Sequence, residues 1–182
     1  MKKVYLIRHG TPDFPEGKRM CLGTTDLPLG KTGFVDAADM AKKLPPVHTV
    51  FSSPLIRAIQ TAQCIGQPVT ILEDLRELHA GAWDGLLFDQ IRQQFPELYA
   101  ARGKDQTLPL PGGEAHEDGL ARFQRAMHMA ASLAAGDFAV VAHGGVIGLF
   151  LQSVTGNFQK PAYAQIIPLC YENGKFTMLE EK

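Results

Sequence analysis

Arg8-His9-Gly10 closes an apolar run that begins at Val4, and two later segments end in a comparable way. Phe138 to Ala142 delivers His143-Gly144-Gly145, while the run at Thr49 ends in Ser52-Ser53-Pro54, with Arg57 shortly after. Two guanidinium groups suit a phosphoryl group because their planar donor forks match phosphate oxygens, and glycines let backbone N–H groups come close. Ser53 reads as an N-cap and Pro54 as the first helical residue, which sets Arg57 one turn into a helix whose N-terminus favours anions. A histidine among such cations is held neutral, since adjacent positive charge disfavours the imidazolium, and a neutral imidazole nitrogen can attack phosphorus. Binding phosphate alone would need no such histidine.

Breaking a phosphate ester also requires a proton for the leaving oxygen. "LEDLRELHAGAWDG" (Leu72 to Gly85) offers Glu73, Asp74, Glu77 and Asp84. Spacing does not choose among these four; Glu77, between apolar Leu75 and Leu78 and near the turn at Gly81, is preferred because a partly desolvated glutamate can give a proton and later take one from water.

The elements that must position these groups are legible as alternating patterns. Val4 to Ile7, the runs from Thr49 and Phe138, and "PVTIL" (Pro68 to Leu72) read as strands, and helical spacing covers residues 33–44, 54–65, 85–101 and 114–135. Strands alternating with helices predict an α/β fold with a mostly parallel central sheet and helices on both faces. Asn173-Gly174 between two alternating runs predicts a tight hairpin and an antiparallel edge. In such a sheet ligands bind outside the carboxyl ends of the strands, where the arginines and histidines fall. "KDQTLPLPGGE" (Lys104 to Glu114) is the long turn-rich segment and a candidate lid.

The chain's 182 residues fit one domain, 1–182, able to bury a real core. A formal net charge of −1, with 45% hydrophobic and 20% charged residues, provides no field for nucleic acid or an anionic membrane, so an anionic substrate must be held by local charge. Cys21, Cys64 and Cys170 lack the spacing of a zinc site or a disulfide framework. Lys2-Lys3 precede too short an apolar run for a signal peptide, and the apolar stretch to Leu151 is too short to span a bilayer; a cytoplasmic protein, monomeric or homodimeric, is expected.

"LIRHG" (6–10), "GTTDLPLGKTG" (23–33), "SSPLIRAIQTA" (52–62), "LRELHAGAWDG" (75–85) and "VVAHGGVI" (140–147) together resemble the histidine phosphatase superfamily, or phosphoglycerate mutase-like family, in its motif order. The resemblance implies that His9 becomes a phosphohistidine, that Arg8, Arg57 and His143 hold the transferring phosphoryl group, and that Glu77 is acid and then base. Gly23 and Gly144 join Arg8, Arg57 and His143 as implied substrate contacts. It implies one antiparallel strand, an all-α insertion at about 84–135, and neither metal nor other cofactor. "ELHAGAWDG", "LPGGE" and the short chain look most like α-ribazole phosphatase, which acts on α-ribazole 5′-phosphate in assembly of the cobalamin nucleotide loop. Mutases of the family carry a longer insertion that retains the phosphoryl group, so a short one favours hydrolysis; mutase-type transfer and broad-specificity phosphatase action on sugar phosphates or phosphoproteins are the alternatives. Thr11-Pro12-Asp13-Phe14, Leu22 and Gly30 depart from the family pattern near the substrate.

Other readings are weaker. No HxH or HExxH motif supports a metal hydrolase, "HGGVIG" lacks dinucleotide-binding glycine spacing, and a silent binding protein would be expected to have lost one of the five catalytic residues. His48, His79, His116 and His128 are assigned to core or surface, Trp83 to core or pocket wall, and Glu114 to capping the following helix.

Overall fold

The computed structural model describes residues 1–179. Six strands form one sheet in the order β3-β2-β4-β1-β5-β6. β1 (Lys2–Arg8), β2 (Thr49–Ser52), β3 (Val69–Ile71) and β4 (Phe138–Ala142) are parallel; β5 (Ile166–Glu172) runs against β1, and β6 (Lys175–Met178) against β5. The expected hairpin is present, with Asn173 at φ 51° and Gly174 at φ 77°, the left-handed pair that a two-residue turn of this hand requires. It folds β6 outside β5, so the strand that opposes the parallel set lies one place in from the edge.

Both faces of the central strands are buried, which is why their sequences are continuously apolar rather than alternating. Side chains nevertheless alternate between two cores. Val4, Leu6, Phe51, Phe138 and Val140 face one core with α5 (His116–Leu133) and α6 (Gly144–Thr155). Tyr5, Ile7, Val50, Ala139 and Val141 face the other, with α1 (Lys31–Lys43) and α2 (Ile56–Gln63). Each fully buried large apolar side chain stabilises the fold by about 1.5–3 kcal/mol. Helices on both faces of a mostly parallel sheet are as expected.

The expected helix at 85–101 is instead two, α3 (Phe88–Gln94) and α4 (Pro96–Lys104). Pro96 forces the break: its ring disfavours helical geometry in the preceding residue, and Phe95 sits at φ −133°, ψ 54°. The turn-rich segment after α4 is docked rather than free at its far end. Ala82 donates to the Pro111 carbonyl and Glu114 to that of His79, which latches residues 111–114 onto the turn at Gly81–Trp83.

Candidate active site

Strand register brings the reactive residues together. Arg8 pairs with Ala142 between β1 and β4, and Ser52 with Val141 between β2 and β4, so His9, His143 and Ser53 emerge side by side at the carboxyl edge. Neighbouring strands lie about 4.8 Å apart, and the His9 and His143 rings have centroids 5.1 Å apart. Arg8, His9, Arg57, Glu77 and His143 are all buried, an unusual concentration of charge and imidazole for one crevice.

His9 Nδ1 lies 2.7 Å from the Gly10 carbonyl. A carbonyl only accepts, so Nδ1 carries the proton and Nε2 keeps its lone pair. Burial, then the Arg57 and Arg8 charges, push the His9 pKa well below the ordinary histidine value, while the Gly10 carbonyl and Lys160 act as smaller opposing and reinforcing influences. His143 is pushed down in the same way, first by burial and then by Arg57 and His9. Both imidazoles are therefore neutral near pH 7. Gly10 is required by packing: a Cβ there would lie 2.5 Å from the Gly33 carbonyl oxygen.

Arg8 donates to the Pro161 carbonyl at 2.7 Å and stacks 3.7 Å from the centre of the Tyr163 ring. Arg57 donates to the Gly23 carbonyl at 3.0 Å and the Thr25 carbonyl at 2.9 Å. The loop that supplies those carbonyls is tied by Asp84, which accepts the N–H groups of Gly23, Thr24 and Thr25 and the Thr24 hydroxyl. Burial raises the Asp84 pKa, but these hydrogen bonds outweigh it and hold the carboxyl at about 2. Gly23 thus has its N–H on Asp84 and its carbonyl on Arg57, so it orients the arginine and has no amide free for substrate. Gly144 is the first residue of α6, packed so closely that a Cβ would lie 2.8 Å from Lys160 Cε and 3.0 Å from Arg8 Nε.

The N-terminus of α2 differs from expectation. The helix begins at Ile56, so Ser53 and Pro54 lie outside it. The Ser53 hydroxyl is taken by His143 Nε2 at 2.7 Å and also accepts from Leu55 N–H, while Asp26 accepts the Ile56 N–H at 2.9 Å. A carboxylate on the first turn is favoured by the helix dipole. Arg57 stays in that first turn.

Glu77 lies across the start of α6. Its Oε2 accepts from Gly145 N–H at 2.8 Å, and Oε1 from Val146 N–H and Leu78 N–H, each at 2.9 Å. Arg122 fixes the segment: it donates to the carbonyls of Asp74, Arg76 and Glu77 and makes a two-pronged pair with Glu114 at 2.7 and 2.8 Å. Glu114 is thereby an ion-pair partner, not the helix cap; Ala115 occupies the cap position. The other carboxylates considered fall elsewhere. Asp74 faces Arg76 and Arg125, and Glu73 opens a short turn with its side chain unbonded among the described residues.

Sequence reasoning missed Arg122, Tyr163 and Lys160. A buried arginine on the apolar face of α5 was the one available signal, and only the tertiary fold shows what it holds. Among the described residues, five buried side-chain nitrogens have no hydrogen-bond partner, and three of them belong to Arg8, Arg57 and His143 around His9. Unpaired buried nitrogens are costly, about 1–3 kcal/mol each, and three of them are concentrated around His9. No helix among the described residues is long and apolar enough to cross a membrane.

A doubly covered, mostly parallel sheet with two buried histidines and two buried arginines gathered at its carboxyl edge defines the class of α/β protein to which this chain belongs. The chain belongs to the histidine phosphatase superfamily (branch 1), whose sequence model matches residues 4–180. Glucosyl-3-phosphoglycerate phosphatase of Mycolicibacterium vanbaalenii is 32% identical over 170 residues, covering 86% of this chain and 75% of that one. The structure of a mycobacterial glucosyl-3-phosphoglycerate phosphatase complexed with VO3 is similar at a TM-score of 0.81, with 28% identity and 93% of each chain covered. A putative α-ribazole-5′-phosphate phosphatase from Escherichia coli shares the fold at a TM-score of 0.81 and 22% identity, covering 98% of this chain and 94% of that one. The first curated relatives are longer, and the chain spans 35% to 56% of their length.

Proposed function

We propose that this protein is a metal-independent phosphatase that hydrolyses a small-molecule phosphomonoester through a phosphohistidine at His9. The observation that carries the reading is the His9 tautomer: the Gly10 carbonyl takes Nδ1–H and leaves Nε2 as a neutral nucleophile between two buried arginines. Nε2 attacks phosphorus, the bond from phosphorus to the leaving oxygen breaks, and Glu77 gives that oxygen its proton. Water then attacks the phosphohistidine, Glu77 takes a proton from it, the N–P bond breaks, and inorganic phosphate leaves with His9 restored. Arg8, Arg57 and His143 stabilise the charge on the equatorial oxygens, the kind of fixed electrostatic assistance that supplies most of the acceleration of phosphate ester hydrolysis.

The phosphatase names of similar proteins support hydrolysis rather than mutase-type transfer. α-Ribazole 5′-phosphate is the substrate suggested by the sequence motifs, and the names of the similar proteins add glucosyl-3-phosphoglycerate. Three cysteines without disulfides are in keeping with the cytoplasm. His9→Ala is expected to abolish turnover and covalent labelling, read as loss of an acid-labile phosphoryl group after quench with labelled substrate. Retention of that label in the mutant would overturn the assignment.

A further inference from the structure

Ser53 carries a hydroxyl that neither caps α2 nor meets solvent, and its closest partner is His143. The sheet builds this contact. β2 and β4 pair Ser52 with Val141, and the Ser53 N–H donates to the Val141 carbonyl at 3.0 Å, so the hydroxyl meets the ring that follows β4. His143 Nε2 lies 2.7 Å from Ser53 Oγ, and both residues are fully buried.

Burial, then the Arg57 charge, hold the His143 pKa well below the ordinary histidine value, so the ring carries one proton near neutrality. Donor and acceptor capacity decides which nitrogen holds it. Leu55 N–H already donates to Ser53 Oγ at 3.3 Å. With the ring proton on Nε2, Ser53 Oγ would receive a second donor, its own proton would have no acceptor among the described residues, and the Nδ1 lone pair would stay buried and unused. With the proton on Nδ1, the hydroxyl donates to Nε2 and accepts from Leu55, and only Nδ1–H is left unpaired. Unpaired buried polar groups cost stability, so the second arrangement is favoured.

The two histidines are thus partnered in opposite senses. The Gly10 carbonyl can only accept, which leaves His9 with a bare Nε2, whereas a donating hydroxyl leaves His143 with an N–H. A phosphoryl oxygen accepts hydrogen bonds and gives none, so it is bound by a ring that presents N–H and repelled by one that presents a lone pair. We propose that Ser53 is a positioning residue that fixes the His143 proton on Nδ1 by donating its hydroxyl to Nε2, and so makes His143 a hydrogen-bond donor toward the phosphoryl group. The ligand in this statement rests on the phosphatase reading above; the tautomer does not.

Two-bond proton–nitrogen correlation spectra of the isotopically labelled protein near neutral pH report which ring nitrogen is protonated, and His143→Gln identifies the His143 signals by their loss. The wild type is expected to show Nδ1–H with an unprotonated Nε2; Nε2–H overturns the proposal, whether or not any Ser53 variant folds. In Ser53→Ala the Nε2–H form is expected to appear and kcat/KM for p-nitrophenyl phosphate to fall by about tenfold or more, the value of a hydrogen bond to a charged oxygen. Ser53→Thr keeps the hydroxyl and is expected to retain the wild-type tautomer. The wild-type tautomer or a smaller loss of activity in Ser53→Ala, or a changed tautomer in folded Ser53→Thr, overturns the role of Ser53. A wild type that shows Nδ1–H but does not turn over p-nitrophenyl phosphate overturns the phosphatase reading and leaves the Ser53–His143 assignment standing.

Discussion

His9 and Glu77 are neighbours in function but are held by opposite means. In the proposed reaction His9 is the nucleophile only while the Gly10 carbonyl accepts a hydrogen bond from its Nδ1–H, a single bond that fixes which nitrogen would face phosphorus. Glu77 is held by three backbone N–H groups, two of them from the first turn of α6, so its carboxylate is also part of how that helix begins. Glu77→Gln therefore has two consequences. The amide NH2 meets N–H donors where an oxygen had accepted, and one lost pair of this kind costs about 1–3 kcal/mol, a drop of some degrees in Tm. The second consequence is chemical: proton transfer contributes about 10²- to 10⁴-fold, and it matters most when the leaving oxygen is basic. Single-turnover phosphorylation should slow at least about tenfold more for an alkyl phosphate than for p-nitrophenyl phosphate. Equal slowing for both would assign Glu77 a purely structural role.

At the scale of elements, the parts of the site carried by continuous apolar strands were legible in the sequence, because burial on both faces leaves a run that ends where polar chemistry begins. Arg8, His9 and His143 follow directly from that. What was not legible depends on contacts between distant segments. Ser53 looked like a helix cap because its local sequence permits one, but His143 from another strand claims its hydroxyl and Asp26 from a loop satisfies the helix instead. Glu114 likewise pairs with Arg122, and the seating of Glu77 on the first turn of α6 is a contact between distant segments that its local setting between Leu75 and Leu78 does not announce. The turn after Glu77 carries a prediction of its own. Gly81 has φ +55°, and a Cβ there would collide with the Pro111 carbonyl and the Gly113 nitrogen, within the latch that holds residues 111–114 against this turn. A left-handed non-glycine residue alone costs about 1–2 kcal/mol. With the collision added, Gly81→Ala should lower Tm by roughly 5–10 °C. Gly103→Ala, in α4 with open space around it, should leave Tm unchanged or raise it by up to about 4 °C. A Gly81→Ala protein as stable as the parent would show that the latch does not constrain this turn.

For the whole molecule, burying His9 and His143 makes stability depend on pH in a direction that can be worked out. Both have folded pKa values well below the ordinary 6.5. Above that value neither state binds a proton at these sites and they contribute no pH dependence. Below it the unfolded chain protonates first while the folded site stays neutral, so stability falls as pH falls, by about 1.4 kcal/mol per pH unit for each histidine, until the folded pKa values are reached. The rings lie 5.1 Å apart, so a proton on one opposes a proton on the other and the pair titrates jointly. Asp84 acts in a separate window. Its folded pKa of about 2 lies below the unfolded 3.8, so its contribution is complete above 3.8 and is lost between those values. Urea unfolding at pH 8, 7, 6 and 5 should therefore show nearly constant stability between 8 and 7 and a decline from 6 to 5. His9→Gln, which keeps a side chain able to bond the Gly10 carbonyl, should make that decline shallower while leaving the loss below pH 3.8 in place. An unchanged slope between pH 6 and 5 in the variant would mean that His9 already carries its proton in the folded protein, and the neutral nucleophile would go with it.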